Sequence, residues 1–286
     1  MRIAPGGLVE DAAVDAADAA ERSGVRVVLL DEVGQFQQAA QLLAAIWGAD
    51  DDATVVPKDV LRALAHSGNY VAGAFLSNRL VGVSVGFLGQ HGGRLHLHSH
   101  VSGVAADVQH RRIGYALKQH QRAWSLGHGL DRVTWTFDPL VRRNAYFNLA
   151  KLGARVVAFH ANFYGPMSDG VNAGDESDRA VVEWPLSQPP PEKADETPPA
   201  GEVVLDDRGD GWPHTAEPEA AGRPVLAAWI PTDILTIRAK DPELALAWRR
   251  ALRSTLGRWV NDGYVATMMT RSGWYQLERA EGERTR

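Results

Sequence analysis

The 286-residue chain has no cysteine, which excludes disulfide frameworks, thiolate zinc sites and cysteine nucleophiles together. Basic charge is also scarce: 30 Lys and Arg stand against 35 Asp and Glu, for a net charge of -5. Binding nucleic acid through phosphate neutralisation favours a basic footprint, so no DNA or RNA partner is expected. No uncharged apolar stretch approaches the roughly 18 residues needed to span a bilayer, and no membrane partner is expected either. Residues Met1 to Gly24 alternate alanines with Asp11, Asp15, Asp18 and Glu21, without the basic start and apolar centre of a secretory signal. A cytoplasmic protein is the expectation.

What is present suits a globular chain: 45% hydrophobic and 23% charged residues can bury a core. Pro189, Pro190, Pro191, Pro198 and Pro199 among acidic residues read as an extended linker, continued by a polar, Gly-rich stretch. The expected organisation is an acidic, Ala-rich tail or helix over 1–24, a main domain over 25–187, a linker over 188–222, a smaller subdomain over 223–280 and a tail over 281–286. No internal repeat is visible.

Within the main domain, strand patterns alternate with helical ones. Val25 to Leu30, Asn69 to Leu76, Arg79 to Leu88, Arg94 to Val104, Arg132 to Phe137, Arg155 to Phe159 and Arg179 to Trp184 read as strands. Gln35 to Trp47, Lys58 to Ala65, Ile113 to Leu126 and Arg142 to Leu152 read as helices, the last ended by Gly153. The smaller subdomain reads β-α-β-β. Its helix from Asp241 to Val260 has a capping Asp241, Pro242 in the first turn and Gly263 at its end. Arg249, Arg250, Arg253 and Arg258 decorate the polar face of that helix and read as solvated.

The stretch with chemical content is Val101 to Ala116, VSGVAADVQHRRIGYA: a strand, a short loop of small and basic residues, then a helix. Free amides at a helix start and the positive end of its dipole make an anion cradle, and Gly114 lets the backbone approach a phosphate. Gly103-Val104 at the strand end, with Gln109-His110-Arg111-Arg112-Ile113-Gly114 five residues later, resembles the pyrophosphate motif of the GNAT superfamily of acyl-CoA N-acyltransferases. Arg112 departs from it, standing where a small residue is usual. A register from Arg111 through Gly114 to Ala116 is the alternative. Arg143 to Gly153, ending Lys-Leu-Gly, resembles the GNAT helix beside the CoA arm. The run TWTFDPLVRRNAYFNLAKLG, LHSHVSGV and the Asn162 to Gly165 turn are similar to a bacterial subgroup with a carboxy-terminal extension, some of whose relatives are linked to amino-acid N-succinylation.

The resemblance implies an α/β (α+β) GNAT fold, a mixed central sheet with flanking helices, plus a smaller C-terminal β-α-β-β extension. It implies transfer of an acetyl or succinyl group from acetyl-CoA or succinyl-CoA to a small primary amine, most readily that of an amino acid, with no metal. It implies contacts to the cofactor from Gly103, Val104, Gln109, His110, Arg111, Arg112, Ile113, Gly114, Asn144 and Phe147. A non-catalytic CoA-binding or regulatory module is the alternative, and a homodimer is an arrangement left open.

An amine that arrives as ammonium needs a proton acceptor. His96, His98 and His100 alternate along a strand, in phase with Ser102 and Val104. Either His98 or His100 is the candidate base, with a metal site from the three as a further reading. The GNAT acid is a Tyr four residues before the helix-ending Gly; that position is Leu149, so Tyr146 and Tyr164 are the candidate replacements, with water a third. Asp138, Arg142 and Arg143 are candidates for binding the acceptor, an Arg being suited to a carboxylate.

Overall fold

The computed structural model describes residues 6–48, 55–165, 175–188, 199, 201–217 and 225–280. The expected linker prolines from 189 to 198 and the tail 281–286 lie outside the described residues. The chain is mixed α/β and divides into two compact units, the first built on Met1–Trp135 and the second largely on residues from Thr136 onward.

In the first unit, β1 (Arg26–Leu29), β2 (Tyr70–Leu76), β3 (Arg79–His91) and β4 (Arg94–Val104) are neighbours in that order and pair antiparallel, while β4 runs parallel to the start of β5 (Arg132–Phe137). Alternation along β2 and β3 sends successive side chains to opposite faces, and Val81, an extra residue on β3 against β2, inverts the phase there. Val71, Phe75, Val83 and Val85 pack with Phe36, Ala39, Leu43 and Leu61 from α2 (Val33–Trp47) and α3 (Lys58–His66). Ala74 and Val81 pack on the other face with Ala19 of α1 (Gly6–Ser23) and with Ile113, Ala116 and Leu117 of α4 (Ile113–Gly127). The acidic N-terminal segment is thus a helix that buries its alanines: Ala12 and Ala19 are buried, and Asp15 binds Arg122 of α4 at 3.0 Å. α2 starts where the Gln35 side chain accepts from the Glu32 amide and stops at Gly48, whose φ of 59° is left-handed.

The second unit continues from the end of β5 through α5 (Arg142–Tyr146), a π-helical turn over Phe147–Lys151, β6 (Arg155–His160) and β7 (Arg179–Pro185). Part of the interval expected to be linker holds β8 (Glu202–Asp206) and the short β9 (His214–Thr215). Then come β10 (Val225–Trp229), α6 (Ile234–Lys240), α7 (Pro242–Leu252), a second π-helical turn over Arg253–Gly257, α8 (Arg258–Asn261), β11 (Tyr264–Met269) and β12 (Trp274–Arg279). The cap read from the sequence is in place, with Asp241 accepting from the Leu244 amide at 3.0 Å and Pro242 in the first turn.

This unit contains a repeat that the sequence does not display. Strand, helix, strand, strand occurs twice, as β5-α5-β6-β7 and as β10-α6/α7/α8-β11-β12, and in each copy the last strand lies between the other two. The order β5-β7-β6-β11-β12-β10 therefore reads alike from both ends, with β6 and β11 pairing antiparallel at its centre through Val156 and Ala266. Each copy's helical stretch contains a π turn, at its end in the first and before α8 in the second. The unequal helical stretches between corresponding strands remove any fixed sequence period.

Candidate functional site

The site begins in a fault in β4. Val101 pairs with Val85 and Ser99 with Gly86, so His100 is one extra residue on β4, a β-bulge. The expected phase from His96 to Val104 is corrected by it. Ser99 and Ser102, an odd and an even position, both meet the α4 side: Lys118 Nζ donates to Ser99 Oγ at 3.0 Å, and Ser102 Oγ lies 2.7 Å from Ser84 Oγ, to which Gln121 Nε2 donates at 3.3 Å. His98 instead stacks beside Phe87, ring centres 5.1 Å apart, with His100 at 5.8 Å from the same ring and 6.5 Å from His98. A bulge re-aims side chains in this way because one added residue inverts the alternation beyond it.

The two histidines differ in chemistry. His98 is largely enclosed and 3.3 Å from Thr134 Oγ1, and burial, followed by the charges of His100, His96 and Lys118, pushes it down to about 4. His100 is exposed, and what burial it has also lowers it. Among the described residues no group of three His, Asp or Glu side chains is arranged to hold a metal ion.

Beyond Val104 the chain makes a 3-10 turn over Ala106–Arg111 and enters α4. Gln109 Nε2 donates to the Val104 carbonyl at 3.4 Å, tying the loop to the end of β4. Arg112, the residue just before α4, has φ 61° and ψ 21°. This left-handed conformation explains why a small residue suits the position, since a Cβ is strained there. No side chain caps the helix, and the first amides with helical partners are those of Tyr115 and Ala116, both donating to the Arg112 carbonyl. The amides of Ile113 and Gly114 precede the first helical bonds. A Cβ built on Gly114 would meet nothing within 4 Å, so packing does not require a glycine there. His110, Arg111 and Arg112 are exposed, whereas the Ile113 side chain is fully buried in the core and can offer only its backbone. Gly103 is explained by packing: a Cβ would stand 2.7 Å from Ile46 and 2.8 Å from Trp47 at the end of α2. Val104 packs against the Ile113 cluster.

β4 and β5 form a fork. Their pairing is confined to Leu97 with Val133 and His98 with Thr134, so Ser99 to Val104 continue with no β5 partner in the register. At the vertex sits Lys118, 7% exposed, which the sequence reading did not single out. Besides Ser99 it donates to Gln121 Oε1 at 3.1 Å, and it lies 3.9 Å from the ring centre of Trp135. Burial without a carboxylate pushes it down to about 7. The signal that could have found it is the spacing of Lys118, Gln121 and Ser125, three buried polar residues along one face of α4.

The other expected site residues belong to the second unit. Asp138 is a correction: it is 9% exposed and both its oxygens are taken by Arg249, at 2.7 and 2.8 Å, while Oδ1 also accepts from the Leu140 amide. Burial raises its carboxyl, but the bonds and charge of Arg249 outweigh this and hold it below the ordinary value. Arg142 is likewise engaged, donating to the Ile230 carbonyl at 2.6 Å and to Thr232 Oγ1 at 3.1 Å, its guanidinium 5.2 Å from the Trp229 ring centre. Asp138 is neutralised by Arg249, whereas the bonds of Arg142 go to uncharged oxygens. Arg143 and Asn144 are exposed, and Tyr146 and Phe147 are half-buried. Lys151 and Arg271 lie 5.5 and 5.9 Å from the Tyr146 ring centre. Tyr164 is exposed, its hydroxyl 3.2 Å from Thr136 Oγ1. Leu149 is fully buried.

Arg249 and Arg253 are a second correction, whereas Arg250 and Arg258 are exposed as expected. Arg249 is 1% exposed and joins Asp138 to Asp175, and Arg253 binds Asp178 and Glu176. They hold the second unit together, and their solvated reading fails because their partners are distant in sequence.

No protein-family model matches the chain, and no curated protein matches it. Solved structures do. Aminoglycoside 6'-acetyltransferase type Ii is 17% identical over 58% of this chain and 99% of its own, with a TM-score of 0.46. An acetyltransferase of the GNAT family from Streptococcus pneumoniae is 12% identical over 56% and 97%, with a TM-score of 0.45. An N-acetyltransferase from Staphylococcus aureus Mu50 is 11% identical over 57% and 99%, with a TM-score of 0.42.

Proposed function

We propose that the chain transfers an acyl group from an acyl-CoA to a small primary amine. The observation that carries this reading is the conjunction on one strand: β4 bulges at His100, parts from β5 after His98, and leads into a helix start that no side chain caps. Arg111, Arg112 and the amides of Ile113 and Gly114 suit a diphosphate, since several such contacts together are needed to hold one. The unpaired length of β4 suits an extended pantetheine arm added as a strand. The amine nitrogen attacks the thioester carbon, the carbon–sulfur bond breaks, and the amine proton passes to a base.

His100 is the base in this proposal. A group held near 4, as His98 is, takes a proton from an ammonium of pKa about 8 only at a cost of about 5 kcal/mol. His98 serves better as a fixed neighbour. Acetyl and succinyl donors and an amino-acid acceptor follow from the resemblance, as do roles for Tyr146 or Tyr164 as acid, for Asn144 and Phe147 beside the donor, and for Arg143 toward a carboxylate.

The test is calorimetry with CoA, followed by release of free CoA thiol from acetyl-CoA or succinyl-CoA in a mixture of D- and L-amino acids. Turnover supports the proposal; tight CoA binding without turnover identifies a non-catalytic module; no affinity for CoA overturns both. In an active protein, His100→Ala is expected to lower kcat by about 100-fold or more and His98→Ala by less than about tenfold. Because His100 is lowered, its own titration should limit activity only on the acid side, as the ring is protonated.

A further inference from the structure

Lys118 is a buried cation with no ion pair to it among the described residues, an arrangement that costs stability and calls for a reason. Its bonds reach both flanks of the bulge. One goes directly to Ser99, the residue before His100. The other runs through Gln121 Oε1 to Gln121 Nε2, then to Ser84 Oγ, then to Ser102 Oγ, two residues beyond His100. Its third contact is the ring of Trp135, the first residue of β5 after the pairing with β4 stops. One ammonium therefore touches both strands of the fork where they part, and it projects from the helix whose start is the proposed diphosphate site.

We propose that Lys118 is a positioning residue for acyl transfer: pinned by Ser99 and Gln121 and laid on Trp135, its ammonium fixes both flanks of the bulge and so holds His100 and the adjoining β4 backbone in place. This rests on the acyltransferase reading for its consequence but not for its geometry. The titratable and charged groups on the elements around it are Arg94, His96, His98 and His100 on β4, Arg79 and His91 on β3, Arg132 on β5 and Tyr115, His120 and Arg122 on α4, with Tyr70 of β2 and Asp15 of α1 bonded to α4. Tyr70 and His120 bond each other at 3.0 Å, and Asp15 is taken by Arg122. No carboxylate among them holds the Lys118 charge, so the clamp should loosen as pH rises through about 7.

Three measurements on the full chain test this. The indole signal of Trp135 in an NMR spectrum, assigned with Trp135→Phe, should move with pH through about 7 and be static in Lys118→Met. Lys118→Met should bind CoA within about threefold of the parent yet lose kcat by about tenfold or more, as misplaced reacting groups do, and Lys118→Arg should recover much of it. The parent's kcat should decline above about pH 7 and that of Lys118→Arg should not. A Trp135 signal indifferent to pH, or a Lys118→Met protein with parental kcat and pH profile, overturns the proposal. Should Lys118→Met fail to fold, Ser99→Ala decides instead: lowered kcat with CoA binding kept supports the clamp, and unchanged kcat overturns it. Failure of the acyltransferase reading itself would show in the parent, as absent CoA binding or turnover, while the Trp135 titration still reports on the clamp.

Discussion

Arg112 carries two demands that pull in opposite directions. Its left-handed backbone costs about 1–2 kcal/mol for a residue with a Cβ, while its exposed guanidinium is a candidate diphosphate ligand in the proposed function. Arg112→Gly removes the strain but gives the unfolded chain more freedom, so the expected net gain is about 0.5–1 kcal/mol in thermal or denaturant unfolding. The same variant should bind CoA more weakly in calorimetry. A loss of stability would show that the guanidinium has structural partners, and unchanged CoA affinity would remove Arg112 from the proposed diphosphate site.

At the scale of elements, α7 is anchored by charge. Arg249 is 1% exposed between Asp138 and Asp175, themselves 9% and 5% exposed at the side chain. Removing one partner of a buried pair leaves an uncompensated charge, so Arg249→Met should cost about 3–5 kcal/mol in urea unfolding at neutral pH. The sign with pH is definite. With Arg249 present, the Asp138 carboxyl is held below its unfolded value, so its contribution is present above about 4 and is lost as pH falls through the folded value. Without Arg249, burial is offset only by the Leu140 amide and the charges of Arg179 and Arg238, so the carboxyl rises and protonation on acidification relieves the variant. The gap between parent and Arg249→Met should therefore narrow as pH falls from 7 toward 4, and a gap independent of pH would place the cost elsewhere.

Over the molecule as a whole, the second unit is completed by its C-terminal copy. β11 covers the edge of β6, and Arg238, Arg249 and Arg253 come from the C-terminal half to meet Asp138, Asp175, Glu176 and Asp178. A chain ending at 188 loses that strand and all three guanidinium groups at once, exposing a sheet edge and stranding four carboxylates. Such a chain is expected to aggregate or to lack a cooperative thermal transition. A soluble 1–188 chain melting within a few degrees of the parent would show that the copy is dispensable.

Sequence by itself determined the local elements. Apolar spacing placed β2, β3, β4 and α2, the Asp241–Pro242 pair placed the start of α7, and the loop from Gly103 to Gly114 placed the start of α4. These rest on periods of 2 and 3.6 residues and on caps that bond within one turn, so neighbours in the chain suffice to fix them. Tertiary structure alone decided the bulge at His100, which exists only in the register of β4 against β3. It also decided that Lys118 is buried at the fork, that Arg142 reaches Ile230 88 positions away, and that Arg249 reaches Asp138 111 positions away. A polar face on a helix reads the same whether it meets water or a distant carboxylate. Which of the two it meets is set by long-range packing, where burial raises the cost of an unpaired charge and so selects its partner.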